Sequence, residues 1–257
     1  MTNPPVLFLD LDTKLRPLLT RSYRDQTVVR YPLDRRASIK DILEAVGIPH
    51  TEVGAIRDTA TEYSFAHIPA PGECLRIEGV QYGLDVTRAT RLRPEPLPAV
   101  RFLVDINVGK LTRLLRLAGL DSRYAPDLND GALAALAAAD QRILLSRNRE
   151  LLKRKEVTHG HLVRAEQPAD QLREILTLYD LANRVKPFSR CLSCNTILVT
   201  VSREEVLDRL EPLTRKYYHR FKRCPGCGRI YWQGSHHAQM VRLLQDILPA
   251  GVQQPTA

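Results

Sequence analysis

The sequence lacks the features that would place it in a membrane or among secreted, disulfide-linked proteins. No stretch approaches the roughly 18 uninterrupted apolar residues that a membrane-spanning helix needs. The N-terminus has no basic segment ahead of its apolar run, and Asp10 and Asp12 interrupt that run, which does not fit a signal peptide. Only five cysteines are present, and four of them form two CxxC pairs rather than a disulfide framework. We therefore expect a cytoplasmic protein with no membrane partner.

The positive charge of the chain is confined to its C-terminal part. Residues 1–98 hold 13 basic and 13 acidic side chains, whereas residues 99–257 hold 25 and 16 and carry the entire net charge of +9. This asymmetry indicates two units, the second of which faces a polyanion. The alternative is a charged surface that only keeps the protein soluble.

A proline-rich segment divides the chain. Residues 88–98 contain three prolines and no apolar periodicity, which predicts a linker between a domain over 1–87 and the remainder. The last residues, 251–257, are predicted to be a frayed tail.

The N-terminal part is predicted to be a small α+β domain. Ser38 is predicted to cap a helix with an apolar face, and Gly47 ends that helix. Pro71-Gly72 predicts a turn. The predicted strands cover residues 6–11, 27–33, 52–57, 63–68 and 74–78.

This part resembles the β-grasp, ubiquitin-like fold, and within it the ThiS-like group. The resemblance is carried by Ser38-Ile39-Lys40-Asp41-Ile42-Leu43-Glu44 and Gly47-Ile48-Pro49-His50-Thr51-Glu52-Val53. Sulfur carriers of that group end in Gly-Gly, whereas here the last strand runs into Gly79-Val80 and the linker. Carrier chemistry is therefore not expected. One idea for the domain is that it docks a protein partner within a larger complex.

After the linker, short apolar strands alternate with helices. Such alternation predicts an α/β domain with a parallel sheet and right-handed crossovers. The helices are predicted over 107–118, from Asp130, over 147–155 and over 169–183, and the strands over 102–105, 122–125, 142–146 and 161–165.

Polar residues follow three of these strands. Asp105 ends the first, Asp127 and Asp130 lie after the second, and Ser146 and Asn148 follow the third. Function in parallel α/β sheets gathers at the carboxyl ends of the strands, and clustered carboxylates need a divalent cation. The alternative is that Asp130 is only a helix N-cap and Asp127 a turn residue. Asp105 has no evident structural reason to end an apolar strand.

At this point the chain resembles the Mut-seven-C family of PIN-like ribonucleases. The segments that carry the resemblance are FLVDINVGKLTRLLRLAGLDSRY, DLND, ILLSRNRELL, PFSRCLSCN and FKRCPGCGRIYWQGSH, between about residues 100 and 245. The family often carries a ubiquitin-like domain such as the one at 1–80. The resemblance implies a PIN-like nuclease domain over 99–186, and a zinc ribbon with a C-terminal helix over 187–250.

The resemblance also implies a reaction and a set of catalytic residues. Asp105, one or both of Asp127 and Asp130, and the amide oxygen of Asn148 would bind magnesium or manganese for hydrolysis of RNA. Ser146 and Asn148 would complete the shell, and Arg147 or Arg149 would steady charge on phosphate. The family usually has Thr-Arg-Asp where this chain has Ser146-Arg147-Asn148. An amide oxygen there adds no negative charge, so the alternative is a non-catalytic RNA-binding or adaptor protein that kept the fold.

The two cysteine pairs predict a structural zinc site. Cys191 and Cys194 are separated by 29 residues from Cys224 and Cys227. Two CxxC turns supply four thiolates for tetrahedral zinc, whereas the alternative is a redox pair or unrelated buried thiols. Cys74 stands alone and is predicted to be buried.

Basic and aromatic residues interleave around the second cysteine pair. Cations on phosphates and rings under bases suit single-stranded RNA, whereas aromatic residues packed inside a ribbon are the alternative, above all for Trp232. Lys110, Arg113 and Arg116 form a further basic stripe on the 107–118 helix. The predicted RNA-binding residues are Lys110, Arg113, Arg147, Arg149, Arg220, Lys222, Arg223, Arg229 and Tyr231.

Overall fold

The computed structural model describes residues 5–248, and they form two compact units. The first unit comprises the described residues through Val100 together with Asp127–Leu162, and the second comprises Arg101–Pro126 and the described residues from Val163 onward. Both units are discontinuous in sequence, and the boundaries inferred at 87, 98 and 186 stay predictions. The predicted frayed tail at 251–257 lies outside the described residues.

The first unit contains a mixed four-stranded sheet. Strand β1 pairs with β4 in parallel and with β2 antiparallel, and β3 pairs antiparallel with β4, giving the order β2-β1-β4-β3. This arrangement confirms the ubiquitin-like fold. The strands are β1 (Val6–Leu11), β2 (Val29–Pro32), β3 (Val53–Arg57) and β4 (Cys74–Gly79). Helix α1 covers Ile39–Ala45, and short 3₁₀ turns cover Arg16–Leu18 and His50–Glu52.

Helix α1 begins and ends where the sequence predicts. The Ser38 hydroxyl accepts from the Asp41 amide at 3.2 Å, and the Asp41 carboxylate accepts from the Ser38 amide, which completes a capping box. Gly47 follows the helix with φ +107°, and a Cβ there would lie 2.6 Å from the Leu18 carbonyl oxygen.

Two local predictions in this sheet are wrong. Residues 63–68 form no strand: residues 65 and 66 lie in a turn, and just before this segment Glu62 forms an isolated bridge to Arg57. The Asp58 carboxylate accepts from the amides of Ala60 and Thr61, which holds a bend between β3 and this segment. Cys74 is exposed because it stands on the outward side of β4.

The rest of the first unit consists of helices and a parallel strand pair. Strands β7 and β8 pair in parallel, and the first three residues of β7 are completely buried. The N-cap of α3 is Asn129, whose Oδ1 accepts from the Ala132 amide at 2.9 Å, so the prediction that Asp130 caps this helix is wrong. The elements are α3 (Asp130–Ala139), β7 (Ile143–Ser146), α4 (Arg149–Leu152) and β8 (Gly160–Leu162).

The proline-rich segment 88–98 has no helix or strand, yet it is packed. Leu92, Arg93 and Leu97 are buried, and the Leu97 amide donates to the Val86 carbonyl at 2.9 Å. The segment therefore contributes to the core of the first unit.

The second unit begins with a parallel strand pair and two helices. Strands β5 and β6 pair in parallel, and α2 packs against α5. Val108, Leu111 and Leu115 are buried, as the apolar spacing predicts. The elements are β5 (Phe102–Val104), α2 (Gly109–Leu117), β6 (Ser122–Tyr124) and α5 (Pro168–Leu178), with 3₁₀ turns at Ile106–Val108 and Ala182–Arg184. Parallel pairing with flanking helices confirms the PIN-like α/β class.

The second unit ends in a small antiparallel sheet and a helix. The sheet has the order β11-β10-β9, and its core contains Val201, Val206, Leu210 and Phe221. The elements are β9 (Val199–Val201), α6 (Pro212–Tyr217), β10 (Phe221–Arg223), β11 (Ile230–Trp232) and α7 (Ser235–Ile247), with a 3₁₀ turn at Glu204–Arg209. Among residues 5–248, no helix is long and apolar enough to cross a membrane.

Candidate functional site

The four cysteines of the CxxC pairs come together in the second unit. Their sulfur atoms all lie within 4.8 Å of one another. Cys191 Sγ is 3.5 Å from Cys227 Sγ, and Cys194 Sγ is 3.3 Å from Cys224 Sγ. Zinc bound to four thiolates at 2.3 Å holds its sulfurs about 3.8 Å apart, so this donor set fits a structural zinc ion.

The two CxxC turns share one backbone conformation. In each, the amide of the second cysteine points at the sulfur of the first, at 3.5 Å and 3.4 Å. The fourth residue after the first cysteine is left-handed, with φ 70° at Asn195 and 74° at Gly228. Its amide donates to the carbonyl of Cys191 in one turn and of Cys224 in the other. The repeated turn presents sulfurs and amides to one point, as a metal site requires.

Arg116 donates hydrogen bonds to the backbone of the first CxxC turn. It is 8% exposed, and its guanidinium donates to the carbonyls of Leu192, Ser193 and Ser122. Burial lowers the pKa of Arg116, and the neighbouring Cys191 and Cys194 oppose that shift. The prediction that Arg116 belongs to an exposed basic stripe is therefore wrong. The sequence carries no signal for its role at the cysteine turn, because the carbonyls of Leu192 and Ser193 lie 76 and 77 residues away.

Tyr231 is held against the first cysteine. Its hydroxyl donates to Cys191 Sγ at 3.0 Å and accepts from the Leu192 amide at 3.2 Å. Burial, and then the bond to Cys191, raises the pKa of Tyr231, so the hydroxyl keeps its proton. Burial alone would raise the pKa of the Cys191 thiol, but the bonds from Tyr231 and from the Cys194 amide lower it overall. The tyrosine thus favours the thiolate that a metal needs.

Three of the predicted RNA-binding residues line one pocket beside these turns. Arg113, Arg229 and Tyr231 surround a pocket of about 330 Å³, which is completed by Leu192, Ser193 and Ile230. Both arginines are exposed. The zinc ribbon therefore carries a basic pocket, and Tyr231 forms part of its wall.

The other predicted RNA-binding residues of the second unit are spread over its surface. Lys110 and Arg220 are exposed. Lys222 donates to the Phe188 carbonyl at 3.0 Å, and Arg223 lies 3.8 Å from the Glu205 carboxylate. Trp232 is 39% exposed, so the ribbon does not enclose it.

In the first unit, two of the predicted catalytic side chains meet. Asn148 Nδ2 donates to Asp130 Oδ2 at 2.8 Å. Asn148 also caps α4, because its Oδ1 accepts from the amides of Glu150 and Leu151. Ser146 is buried, and its hydroxyl accepts from the Asn148 amide at 2.8 Å. Asp127 is exposed on the loop before α3.

Asn148 therefore donates a hydrogen bond to Asp130, and its amide oxygen accepts from the first amides of α4. This arrangement differs from the prediction that an amide oxygen at 148 acts as a metal ligand. The physical reason is the N-cap position, which orients the oxygen toward the first amides of α4.

Asp105 lies in the second unit at the carboxyl end of β5, where it is 6% exposed. Its Oδ1 accepts from the Ile106 amide at 2.6 Å and its Oδ2 from Asn107 Nδ2 at 2.7 Å. It caps the 3₁₀ turn that follows, so it has a structural role that the sequence did not reveal. Convergence of Asp105 with Asp130 and Asn148 stays a prediction.

The two arginines beside Asn148 differ in their surroundings. Arg147 is exposed, whereas the Arg149 guanidinium donates to the Leu18 carbonyl at 3.0 Å. Arg149 therefore joins α4 to the ubiquitin-like part of the same unit.

Two protein-family models match this chain. The model of the Mut7-C RNAse domain matches residues 100–244, and the model of the Mut7-C ubiquitin domain matches residues 5–83. Neither the curated proteins nor the solved structures gave a match. The first of these models covers more than half of the chain and includes both cysteine pairs, Asp105, Asp130 and Asn148. The chain therefore belongs to the Mut7-C RNase domain family, with a Mut7-C ubiquitin domain ahead of the RNase domain.

Proposed function

We propose that this protein is a cytoplasmic, divalent-metal-dependent endoribonuclease whose zinc ribbon helps to bind RNA. The observation that carries the proposal is the RNase-domain match over 100–244, which includes the acids at the carboxyl ends of the predicted strands. Asp105 follows β5, Asp130 opens α3, and Asn148 follows β7. These are the positions at which α/β sheets hold catalytic groups.

The donor set partly fits magnesium or manganese. Asp105 and Asp130 offer carboxylate oxygens, the ligands that both ions prefer, and under this proposal they hold the metal together with Asp127. Such an ion supplies a water activated for attack on the phosphodiester. Asn148 does not fit as a ligand with its present hydrogen bonds, because its oxygen caps α4. Its role here is to orient the Asp130 carboxylate, and Ser146 in turn holds the Asn148 backbone.

The second unit supports RNA binding. Residues 101–126 and 163–248 of this unit hold 19 basic and 11 acidic side chains, a net charge of +8. Arg113 and Arg229 line the pocket beside the zinc ribbon. Arg220, shortly before Arg229 in the sequence, and Lys110, on α2, are also exposed. Arginine and lysine side chains of this kind neutralise phosphates and make affinity fall steeply with salt.

A second candidate function is a non-catalytic RNA-binding or adaptor protein. The hydrogen bond from Asn148 Nδ2 to Asp130 Oδ2 favours it, because an amide donor already satisfies a carboxylate that would otherwise need a cation. A third idea is that the ubiquitin-like part docks a protein partner. It rests only on the loss of the Gly-Gly terminus that sulfur carriers use.

Cleavage of RNA by the full-length protein tests the proposal. We expect wild-type protein to cut labelled single-stranded or structured RNA internally when manganese is present, and to stop when EDTA is added. Asp130→Asn should lower the rate at least about 100-fold, because removing a carboxylate ligand weakens binding of a hard cation. The matched control is Asp140→Asn at the other end of α3, which should cut like wild type. Tight RNA binding with no cleavage under any metal condition would establish the adaptor function instead.

A further inference from the structure

The pocket beside the zinc ribbon combines charge and a flat ring within one small volume. Its wall contains Arg113 from α2 and Arg229 and Tyr231 from the second half of the ribbon. Among the described residues 5–248, no acidic side chain lines it. We infer that this pocket binds a single nucleotide of an unpaired RNA strand, with the phosphate between the two arginines and the base against the Tyr231 ring. The inference rests on the proposed action on RNA and adds the subsite that recognises the strand.

A third arginine lies behind the wall of the pocket. Arg116 lies beneath Leu192 and Ser193, two of the lining residues, and donates to both of their carbonyl oxygens at 3.1 Å and 2.6 Å. Those carbonyls are therefore neutralised and do not repel an anion. A phosphate in the pocket would meet two arginine side chains, the group that pairs best with phosphate.

The Tyr231 ring is fixed before any ligand arrives. Its hydroxyl is held from both sides, by Cys191 Sγ at 3.0 Å and by the Leu192 amide at 3.2 Å. Tyr231 also belongs to β11, where it lies opposite Lys222 of β10. A rigid aromatic face costs little conformational entropy on binding, and any base can stack on such a face.

The size of the pocket selects the ligand class. A volume of about 330 Å³ lies at the small end of small-molecule sites, which suits one nucleotide rather than a duplex. Bases inside an A-form duplex are stacked on each other and not available to a side-chain ring. The pocket therefore favours single strands, loops and ends.

Titration of the full-length, zinc-loaded protein with ribonucleoside 5′-monophosphates and with inorganic phosphate tests this inference. We expect calorimetric binding of mononucleotides at low salt, with inorganic phosphate at least about 10-fold weaker because it has no base. Arg113→Gln and Arg229→Gln should each weaken mononucleotide binding about 10-fold, a loss of about 1.4 kcal/mol. Arg242→Gln, an exposed arginine on α7, is the matched control and should leave it unchanged.

Three results would overturn the inference. They are the absence of mononucleotide binding up to on the order of 10 mM, equal binding of inorganic phosphate, and an equal loss in Arg242→Gln. The binding measurement does not depend on catalysis. Protein that binds mononucleotides but cuts no RNA would refute the nuclease and retain the pocket, whereas protein that cuts RNA without binding mononucleotides would refute the pocket alone.

Discussion

Asn148 shows how one residue changes the expected chemistry of a site. The sequence identifies the position correctly as one that follows a buried strand, and the structure places its side chain 2.8 Å from Asp130. The sequence does not reveal that the amide oxygen caps α4, because capping depends on where the short helix starts. An aspartate at 148 would keep the cap with one oxygen and turn the other toward Asp130. Two carboxylates so close together would then need a cation.

His159 provides a pH-dependent prediction at the same scale. It is 6% exposed, and its Nε2 donates to the Glu95 carbonyl at 3.2 Å. Burial lowers the pKa of His159, the bond to Glu95 opposes that shift, and the charge of Arg93 adds to it. The unfolded chain, with an ordinary histidine pKa of 6.5, therefore takes up a proton that the folded protein does not.

Stability should consequently be complete above pH 6.5 and fall as the pH drops below it. We expect His159→Gln, which retains a donor for Glu95, to lose less thermal stability than wild type between pH 7 and pH 5. The measurement is the melting temperature across that range. His219→Gln, at an exposed position, is the control. If the melting temperatures of wild type and His159→Gln fell in parallel with pH, His159 would not be the source of the pH dependence.

At the scale of elements, the cysteine turns were the most predictable part of the molecule. The CxxC spacing fixes two sulfurs on each turn, and the structure gathers all four within 4.8 Å. The supporting contacts were not predictable in the same way. Arg116 and Tyr231 reach the first turn from a distant helix and from a strand near the second turn, so only the folded chain brings them to it.

Removal of the Tyr231 hydroxyl should weaken zinc binding without removing the ring. Hydrogen bonds to metal ligands typically contribute 10- to 100-fold in affinity, so we expect Tyr231→Phe to raise the zinc dissociation constant about 10-fold or more. Competition with a chromogenic chelator measures it, starting from protein that holds one zinc per chain. Tyr217→Phe, at a tyrosine that is 63% exposed, is the matched control. Equal zinc affinity in both variants would show that the hydroxyl contributes nothing to the metal site.

Helix boundaries and strands were also predictable where patterns are local. Ser38, Gly47 and Gly119 mark ends that the structure reproduces, because capping and left-handed glycines act within a few residues. Residues 63–68 have strand-like composition but form no strand, and here the Tyr63 hydroxyl donates to the Asp58 carboxylate at 2.5 Å. Local side-chain bonds of this kind leave no periodic signal.

At the scale of the whole molecule, the ubiquitin-like sheet shares one compact unit with part of the RNase domain. Arg93, from the proline-rich segment, is 6% exposed and donates to carbonyls of His50, Thr51 and Val53 and to that of Thr158. Glu52, 3% exposed, accepts from the Leu162 amide at 2.8 Å. Sequence composition identifies the segment as proline-rich, but the burial of an arginine within it depends on carbonyls 40 to 65 residues away.

Loss of the Arg93 guanidinium should destabilise this unit strongly. Several buried carbonyls would lose their donor, and breaking such a buried charged network costs on the order of 3–5 kcal/mol. We expect Arg93→Met to lower the free energy of unfolding in urea by that amount. Arg91→Met, at an exposed arginine two residues earlier, is the matched control and should change it by less than about 0.5 kcal/mol. Equal, small effects would show that the segment is a passive connection.

A manganese titration of RNA cleavage by wild type, Asn148→Asp and Asp105→Asn tests whether the acids form a metal site for RNA hydrolysis. We expect Asp105→Asn to be inactive, because a carboxylate ligand is lost. We expect Asn148→Asp to cut faster or to need less manganese, because the amide donor beside Asp130 becomes a second carboxylate. Cleavage by Asp105→Asn at the wild-type rate, or inert wild type and Asn148→Asp that both still bind RNA, would contradict the proposed metal site.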